Sequence, residues 1–360
     1  MKRYFYYLLI MSMLTNTIFF IPTILVEQRF NGALLGIGFS VISGCICIYL
    51  FSKGMGRFPG KDLPDIFRLF FPRWFRIPYV FFLGFMWFTA GGIIVIAYSR
   101  IIQRFVNPEF NLFVLIGFFL TVCCWLASGK SRSILYVAEI ILVLNVPFII
   151  LLLFKAVTSP ELDWDAVRVM THYSTQMPSF PIVSTATYVF TGYVNWVVFN
   201  REFSGLVLKH TWAIPVTGLL VMLSSFLIPI GLHGTIGVES YVHLWVSTAD
   251  SLRLEFGFIE RVIYIFLVLY LSVSLLFVCV TWHVGGELMK SAAQDLQIRQ
   301  KWIGNWLPFI VMSILVLLTV QYFNEKQFLE VAKWWFIIRY PSECMLVIMV
   351  YWLGKRKGGA

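Results

Sequence analysis

The sequence predicts an all-α polytopic membrane protein of ten transmembrane helices, on three observations. The 360 residues are 59% hydrophobic and only 13% charged, with a mean hydropathy of +0.81, whereas soluble domains carry about a quarter charged residues. The apolar residues fall into ten runs close to the roughly 20 residues that cross a hydrocarbon core about 30 Å thick. The basic residues between the runs gather on alternate loops, as they do when one side of a membrane is cytoplasmic. Composition therefore argues against a water-soluble enzyme, a disordered chain and a disulfide scaffold. The aromatic content of 18% suits a protein anchored at two membrane interfaces.

The ten runs, spans 1 to 10, cover 4–26, 33–52, 78–99, 110–128, 134–154, 180–200, 212–233, 262–282, 303–323 and 334–353. Span 1 is too long for a signal-peptide core and lacks a small-residue cleavage site, so it is expected to be a retained helix. With the N-terminus cytoplasmic, the inside segments hold 18 of the 28 basic residues against five acids. Both termini are then cytoplasmic, as an even number of crossings requires. This one-sided distribution explains the net charge of +10 without a nucleic-acid partner.

The six cysteines (Cys45, Cys47, Cys123, Cys124, Cys279, Cys344) lie inside apolar runs and are expected to be packing residues. The five histidines are scattered without i, i+4 pairing, so no metal site is expected. No nucleotide loop, serine elbow or HExxH pattern occurs, and neither an enzymatic activity nor a cofactor is expected.

Two loops are long: 53–77 after span 2 and 234–257 after span 7. Each alternates apolar and charged residues as an interfacial helix does. They occupy equivalent places if spans 1–5 and 6–10 are two copies of one unit, and an odd number of spans per copy inverts one copy relative to the other. The expected organisation is a first five-helix repeat at 1–157, an extracytoplasmic connection at 158–179 and a second, inverted repeat at 180–360. This is the five-plus-five layout of transporters whose spans 1 and 6 are broken.

Span 1 places Ser12, Thr15, Asn16 and Thr17 at its middle, followed by Pro22, which removes a backbone donor. Span 6 holds Thr185, Thr187, Thr191, Gly192, Tyr193 and Asn195 behind Pro178 and Pro181. Hydroxyls satisfied within their own helix are one reading of both clusters. A binding site between corresponding spans is the other, and Asn16 and Asn195 have more hydrogen-bonding capacity to place than a hydroxyl. Gly32, Gly36, Ser40 and Gly44 form a small-residue stripe in span 2, expected to serve helix packing.

Three charged residues sit in apolar context. Glu139 in span 5 is read either as a proton site or polar anchor, in a network with Asn145 and Asn195, or as a carboxylate reaching Lys130 and Arg132 at the membrane edge. Arg339 and Glu343 in span 10 share a helix face and are expected to form an intrahelical pair, with partner binding as the alternative.

The order of these features resembles the B-subunit, permease-like proteins of bacterial endospore germinant receptors, in the amino acid–polyamine–organocation superfamily. The resemblance covers nearly the whole chain. It rests on the short basic N-terminus, the polar-to-proline first helix ending Phe20-Ile21-Pro22 and the stretch Gly60-Lys61-Asp62-Leu63-Pro64-Asp65-Ile66. The step Thr191-Gly192-Tyr193 and the basic tail complete it. Family members often place glycine at the break in span 1, where this chain has Thr15-Asn16-Thr17.

The resemblance implies a LeuT-like fold and a sensing role: binding of a small germinant, often an amino acid, in the spore inner membrane, together with an A-type membrane subunit and a C-type lipoprotein. An ion-coupled amino acid transporter of the same superfamily is the alternative. The resemblance places Thr15, Asn16, Thr17, Thr191, Gly192 and Tyr193 around the ligand, with Tyr98 in span 3 and Tyr270 and Ser274 in span 8 as further candidates.

Overall fold

The computed structural model describes residues 3–203, 211–253, 261–297 and 301–358. Of the basic residues assigned to the inside segments, Lys2, Lys209 and Arg299 lie outside these, as do residues 254–260 of the second long loop. Among the described residues there is no strand, only an isolated bridge between Arg253 and Arg261.

A helix forms in each of the ten apolar runs. Span 1 is a bent pair, α1 (Arg3–Asn16) and α2 (Phe20–Glu27). Then follow α3 (Ala33–Met55, span 2), α4 (Leu63–Phe70), α5 (Arg73–Phe105, span 3), α6 (Leu112–Ala127, span 4) and α7 (Ser131–Val157, span 5). After α8 (Trp164–Thr171), span 6 is built from α9 (Phe180–Thr187), a 3-10 helix (Tyr188–Asn195) and α10 (Trp196–Phe199). The chain ends with α11 (Ala213–His233, span 7), α12 (Leu244–Ser251), α13 (Val262–Asp295, span 8), α14 (Lys301–Tyr322, span 9) and α15 (Glu325–Gly358, span 10).

Eight of these spans are long and apolar enough to cross a membrane singly, and the bent pair makes a ninth. Span 4 is the shortest: the 16 residues of α6 reach only about 24 Å at the helical rise, less than the hydrocarbon thickness. Both long loops contain a short helix, α4 and α12. The first is capped by the Asp62 carboxylate, which accepts from the Asp65 amide at 2.9 Å.

Span 1 is broken, with a 55° bend between α1 and α2, and its own side chains account for the break. Asn16 Nδ2 donates to the Ser12 carbonyl at 2.8 Å, and Thr17 Oγ1 donates to the Met13 carbonyl at 2.9 Å. These side-chain bonds compete for carbonyls that a continuing helix uses. Pro22, lacking an N–H, leaves the Ile18 carbonyl without its helical donor. The freed Thr17 carbonyl accepts from Ser225 Oγ of α11, and Trp245 Nε1 of α12 donates in turn to Ser225 Oγ at 3.0 Å. A break at membrane depth persists only when the released groups find such partners.

Span 6 differs from a bent, unwound helix. It continues through its middle and is tightened there into the 3-10 form. Ser184, Thr187 and Thr191 each donate a hydroxyl to the carbonyl three residues back, and Asn195 Nδ2 does the same to Gly192. That spacing matches the i→i+3 geometry of a 3-10 helix.

Span 6 is the most enclosed span, with 89% of its apolar window buried, against 17% for span 9. Around it pack α1, α3 and α15, while α5 lies along α13. The small stripe of span 2 faces this core. A Cβ on Gly36 would lie 2.6 Å from Ile182, and one on Gly44 would lie 2.6 Å from Phe190. Spans 4, 5 and 9 turn large side chains such as Phe118, Leu144 and Ile314 outward, as lipid-facing helices do.

The two termini lie at one end of the bundle. Arg3 pairs with Glu139 at 2.7 Å, and Tyr4 meets the ring of Phe203. The Phe203 carbonyl accepts from the Gly60 amide at 3.0 Å, and Arg57 reaches the Gly354 carbonyl at 2.8 Å. At the same end Arg201 bridges Glu287 at 2.7 Å and Ser131 at 2.8 Å. At the opposite end the buried Arg29 joins span 1 to the loop after span 7, through the Thr235 carbonyl at 2.6 Å and Glu239 at 2.8 Å.

Candidate ligand-binding site

A narrow cleft with a cavity volume of about 50 Å³ opens beside the middle of span 6, smaller than the roughly 300–1,000 Å³ of most small-molecule sites. Its lining follows helix periodicity. The 3-10 helix contributes Tyr188, Thr191 and Val194, three residues apart, together with Asn195. In a 3-10 helix residues at i and i+3 are eclipsed, which aligns these side chains on one edge. Span 3 contributes Leu83, Met86, Trp87 and Ala90, one α-helical face. Span 1 adds Ser12, span 8 adds Phe277 and Thr281, and span 10 adds Trp335, Arg339, Ser342, Glu343 and Leu346.

Polar groups in this apolar lining are tied together across spans. Trp87 Nε1 donates to Asn195 Oδ1 at 2.8 Å, linking spans 3 and 6. Ser12 Oγ and Thr191 Oγ1 lie 3.4 Å apart, linking spans 1 and 6. Arg339 bonds Glu343 within span 10 and reaches the Ser184 carbonyl and Thr187 Oγ1 of span 6, the latter at 3.1 Å. Glu343 also accepts from Tyr193 OH at 2.6 Å. The Arg339 guanidinium lies 5.0 Å from the Tyr188 ring centroid, within cation–π reach.

Of the candidate ligand-site and network residues the sequence singled out, Thr191 and Asn195 line this cleft, joined by Ser12, Arg339 and Glu343, which the sequence marked only as polar or charged groups in apolar context. Asn16 lines a smaller hollow of about 10 Å³ that shares Ala90, Tyr188 and Trp335 with it. The others stand outside the lining. Thr15 and Thr17 are turned to backbone carbonyls, at Val273 and Met13. Tyr193 is buried between Glu343 and the Phe51 ring, whose centroid is 5.1 Å away. Tyr98 donates to the Leu267 carbonyl, a bond between spans 3 and 8. Tyr270 packs on Phe266, and Ser274 is buried without a hydrogen-bond partner.

Gly192 admits a backbone, not a ligand. A Cβ there would lie 2.2 Å from the Leu8 carbonyl oxygen, so the missing side chain is what lets span 1 press against span 6. The proposed polar network also separates into distinct pairs. Glu139 meets Arg3 and accepts from Tyr4 OH at 2.8 Å, so its partners lie on α1 instead of at Lys130 and Arg132. Asn145 accepts from Ser272 Oγ at 2.9 Å, joining spans 5 and 8. Asn195 alone reaches the cleft.

Sequence reasoning missed Trp87 and Trp335 as lining residues, and it read the Arg339–Glu343 face of span 10 as an intrahelical pair or a partner surface and not as a wall of the cleft. The signal available was the set 335, 339, 342, 343 and 346, which is a single helical face. Among the described residues no group of histidine, cysteine, aspartate or glutamate is arranged to hold a metal ion.

The helical bundle thus has one bent span, a tightened span packed against it and a cleft beside the latter. The family model for spore germination proteins matches residues 2–291, and the chain belongs to that family. No curated protein matches the sequence. Among solved structures the chain is similar to Mhp1, a nucleobase-cation-symport-1 family transporter in a closed conformation with bromovinylhydantoin bound. The match has 14% identity, covers 90% of this chain and 74% of that one, and gives a TM-score of 0.54. The fold is therefore that of the LeuT-like transporters, on a multi-pass integral membrane protein.

Proposed function

We propose that this protein is the permease-like subunit of a spore germinant receptor. It binds a small germinant, with an amino acid the leading class, in the cleft between spans 1, 3, 6, 8 and 10. It passes the resulting change to an A-type membrane subunit and a C-type lipoprotein. The setting is the spore inner membrane, with both termini cytoplasmic and the chain folded as repeats 1–157 and 180–360 around the connection 158–179. The observation that supports this reading most directly is the polar-edged cleft beside the middle of span 6, in a chain of the spore germination family. The ligand acts by binding one state of the bundle better than another, and the shift cannot exceed that difference in affinity.

Substituting Thr191 and Asn195 together by leucine fills the cleft from the span 6 side. Spores carrying this variant at wild-type levels are expected to lose the germinant response, and a full response would overturn the reading. A second reading, an ion-coupled amino acid transporter, is favoured by the fold shared with Mhp1. Accumulation of solute in liposomes under a proton or sodium gradient, without partner subunits, would select it.

A further inference from the structure

The fifth wall of the cleft has a property the other four lack. Arg339 and Glu343 on span 10 are the two ionisable acid–base residues of opposite charge in the lining, their side chains only 7% and 8% exposed. We propose that this pair recognises a zwitterionic ligand with an apolar side chain, whose carboxylate goes to Arg339 and whose ammonium goes to Glu343. The proposal rests on the cleft being the germinant site, and it assigns recognition to side chains of span 10 in place of backbone at the break of span 1 and the 3-10 stretch of span 6.

Several groups of spans 1 and 6 that recognition there would use are already occupied. The Gly192 face is filled by Leu8 and Leu9. The Thr17 carbonyl is taken by Ser225. The donors of Thr187, Thr191 and Asn195 point three residues back along their own helix. The pair, by contrast, has spare capacity. Arg339 uses Nη1 and Nη2, while its Nε is buried without a hydrogen-bond partner. Glu343 uses one contact per oxygen, to Arg339 and Tyr193, and an ionised carboxylate has about four lone-pair sites.

Electrostatics then selects the ligand class. A zwitterion inserted between the two groups exchanges one ion pair for two and leaves the net charge of the site unchanged. A simple acid or amine pairs with one group and leaves the other buried without its counter-charge, a situation that costs on the order of a hundredfold or more in affinity. The remaining wall, with Leu83, Met86, Trp87, Phe277 and Trp335, offers apolar contact to a side chain and no further full charge.

The test uses the full chain in nanodiscs with L-valine, L-leucine and L-phenylalanine, each beside its amide and its deaminated acid. At least one amino acid is expected to raise the melting temperature and bind, and its two analogues are expected to bind about a hundredfold more weakly or worse. The double variant Arg339→Met, Glu343→Leu removes both charges at similar volume, a replacement that buried pairs often tolerate. It is expected to fold with a lower unliganded melting temperature, since Tyr193 OH and the Ser184 carbonyl lose their partners, and to lose the amino acid. If it does not fold, the analogue series on the unaltered chain decides.

Analogues that bind as well as the parent, or a panel in which nothing binds, would overturn the proposal. So would a double variant that binds unchanged, which would leave the pair a brace between spans 10 and 6. Binding that Thr191→Leu abolishes but the double variant does not would remove the pair and keep the cleft. Binding indifferent to both would remove the cleft as well.

Discussion

Asn195 shows how a single amide is satisfied in this interior. It accepts from Trp87 and donates to the Gly192 carbonyl, so one residue fixes span 3 against span 6 at the edge of the cleft. Trp87→Phe keeps most of the ring and removes the donor, leaving Asn195 Oδ1 buried without that partner. A stability loss of about 1–3 kcal/mol is expected, read as a lower melting temperature in detergent. An unchanged melting temperature would mean that Asn195 has another donor. Asn195 was legible in the sequence, because an amide in an apolar run must find partners. Trp87 was not, because one of 13 tryptophans in so apolar a chain gives no local signal. Glu139 was legible as a residue needing a partner, but its partner on α1 depended on a contact 136 positions away.

At the level of elements, the two inner helices solve one problem in two ways. Span 1 breaks and hands its Thr17 carbonyl to Ser225, while span 6 tightens and keeps its bonds internal. Ser225→Ala leaves that carbonyl without the Ser225 donor. A cost of about 1–3 kcal/mol is expected, measured by thermal unfolding, with no loss for Ser224→Ala on the same helix as the control. The close contact of the two spans depends on Gly192. Gly192→Ala is expected to cost on the order of 1–3 kcal/mol or more through overpacking against the Leu8 carbonyl, whereas Gly38→Ala, with nothing within 4 Å, should be tolerated.

The break in span 1 could be read from Asn16, Thr17 and Pro22, because a proline beyond a polar cluster acts locally. The 3-10 form of span 6 could not, since the same hydroxyls also fit an ordinary helix and the choice is made by what packs around them. The role of span 10 was hidden for a related reason. An Arg–Glu spacing of four residues looks the same whether its face meets lipid, a partner or a cavity.

For the molecule as a whole, apolar run length was enough to lay out the spans, because it is set by the membrane and not by particular contacts. What it could not supply is how the spans are fastened at the end that holds both termini. There Asn200 Nδ2 donates to the Phe58 and Lys61 carbonyls, each at 2.7 Å, clamping the loop after span 2 onto the end of span 6. Asp62 lies in the same loop, and burial, against the pull of nearby Arg201 and Arg68, pushes its carboxyl up to about 6.

A carboxyl raised in the folded state binds more protons there than in the unfolded chain, where it titrates near 3.9. Stability therefore falls as pH rises from about 4 through about 6. Asp62→Asn keeps a capping side chain and removes this titration. Melting temperatures taken from pH 4 to pH 7 should decline less in the variant, by the equivalent of roughly 1–3 kcal/mol. Parallel profiles would assign the decline to another group.

Pro341 stands between Arg339 and Glu343 in α15. It deletes one rung of the helix ladder at the level of the cleft, so a 34-residue rod is most easily flexed where its two charges sit. From that joint to Gly358 the rod runs about 26 Å, and a tilt of only ~10° would swing its basic tip by roughly 4 Å. An ångström-scale rearrangement of two side chains is thereby geared up into a larger displacement at the far end of the helix.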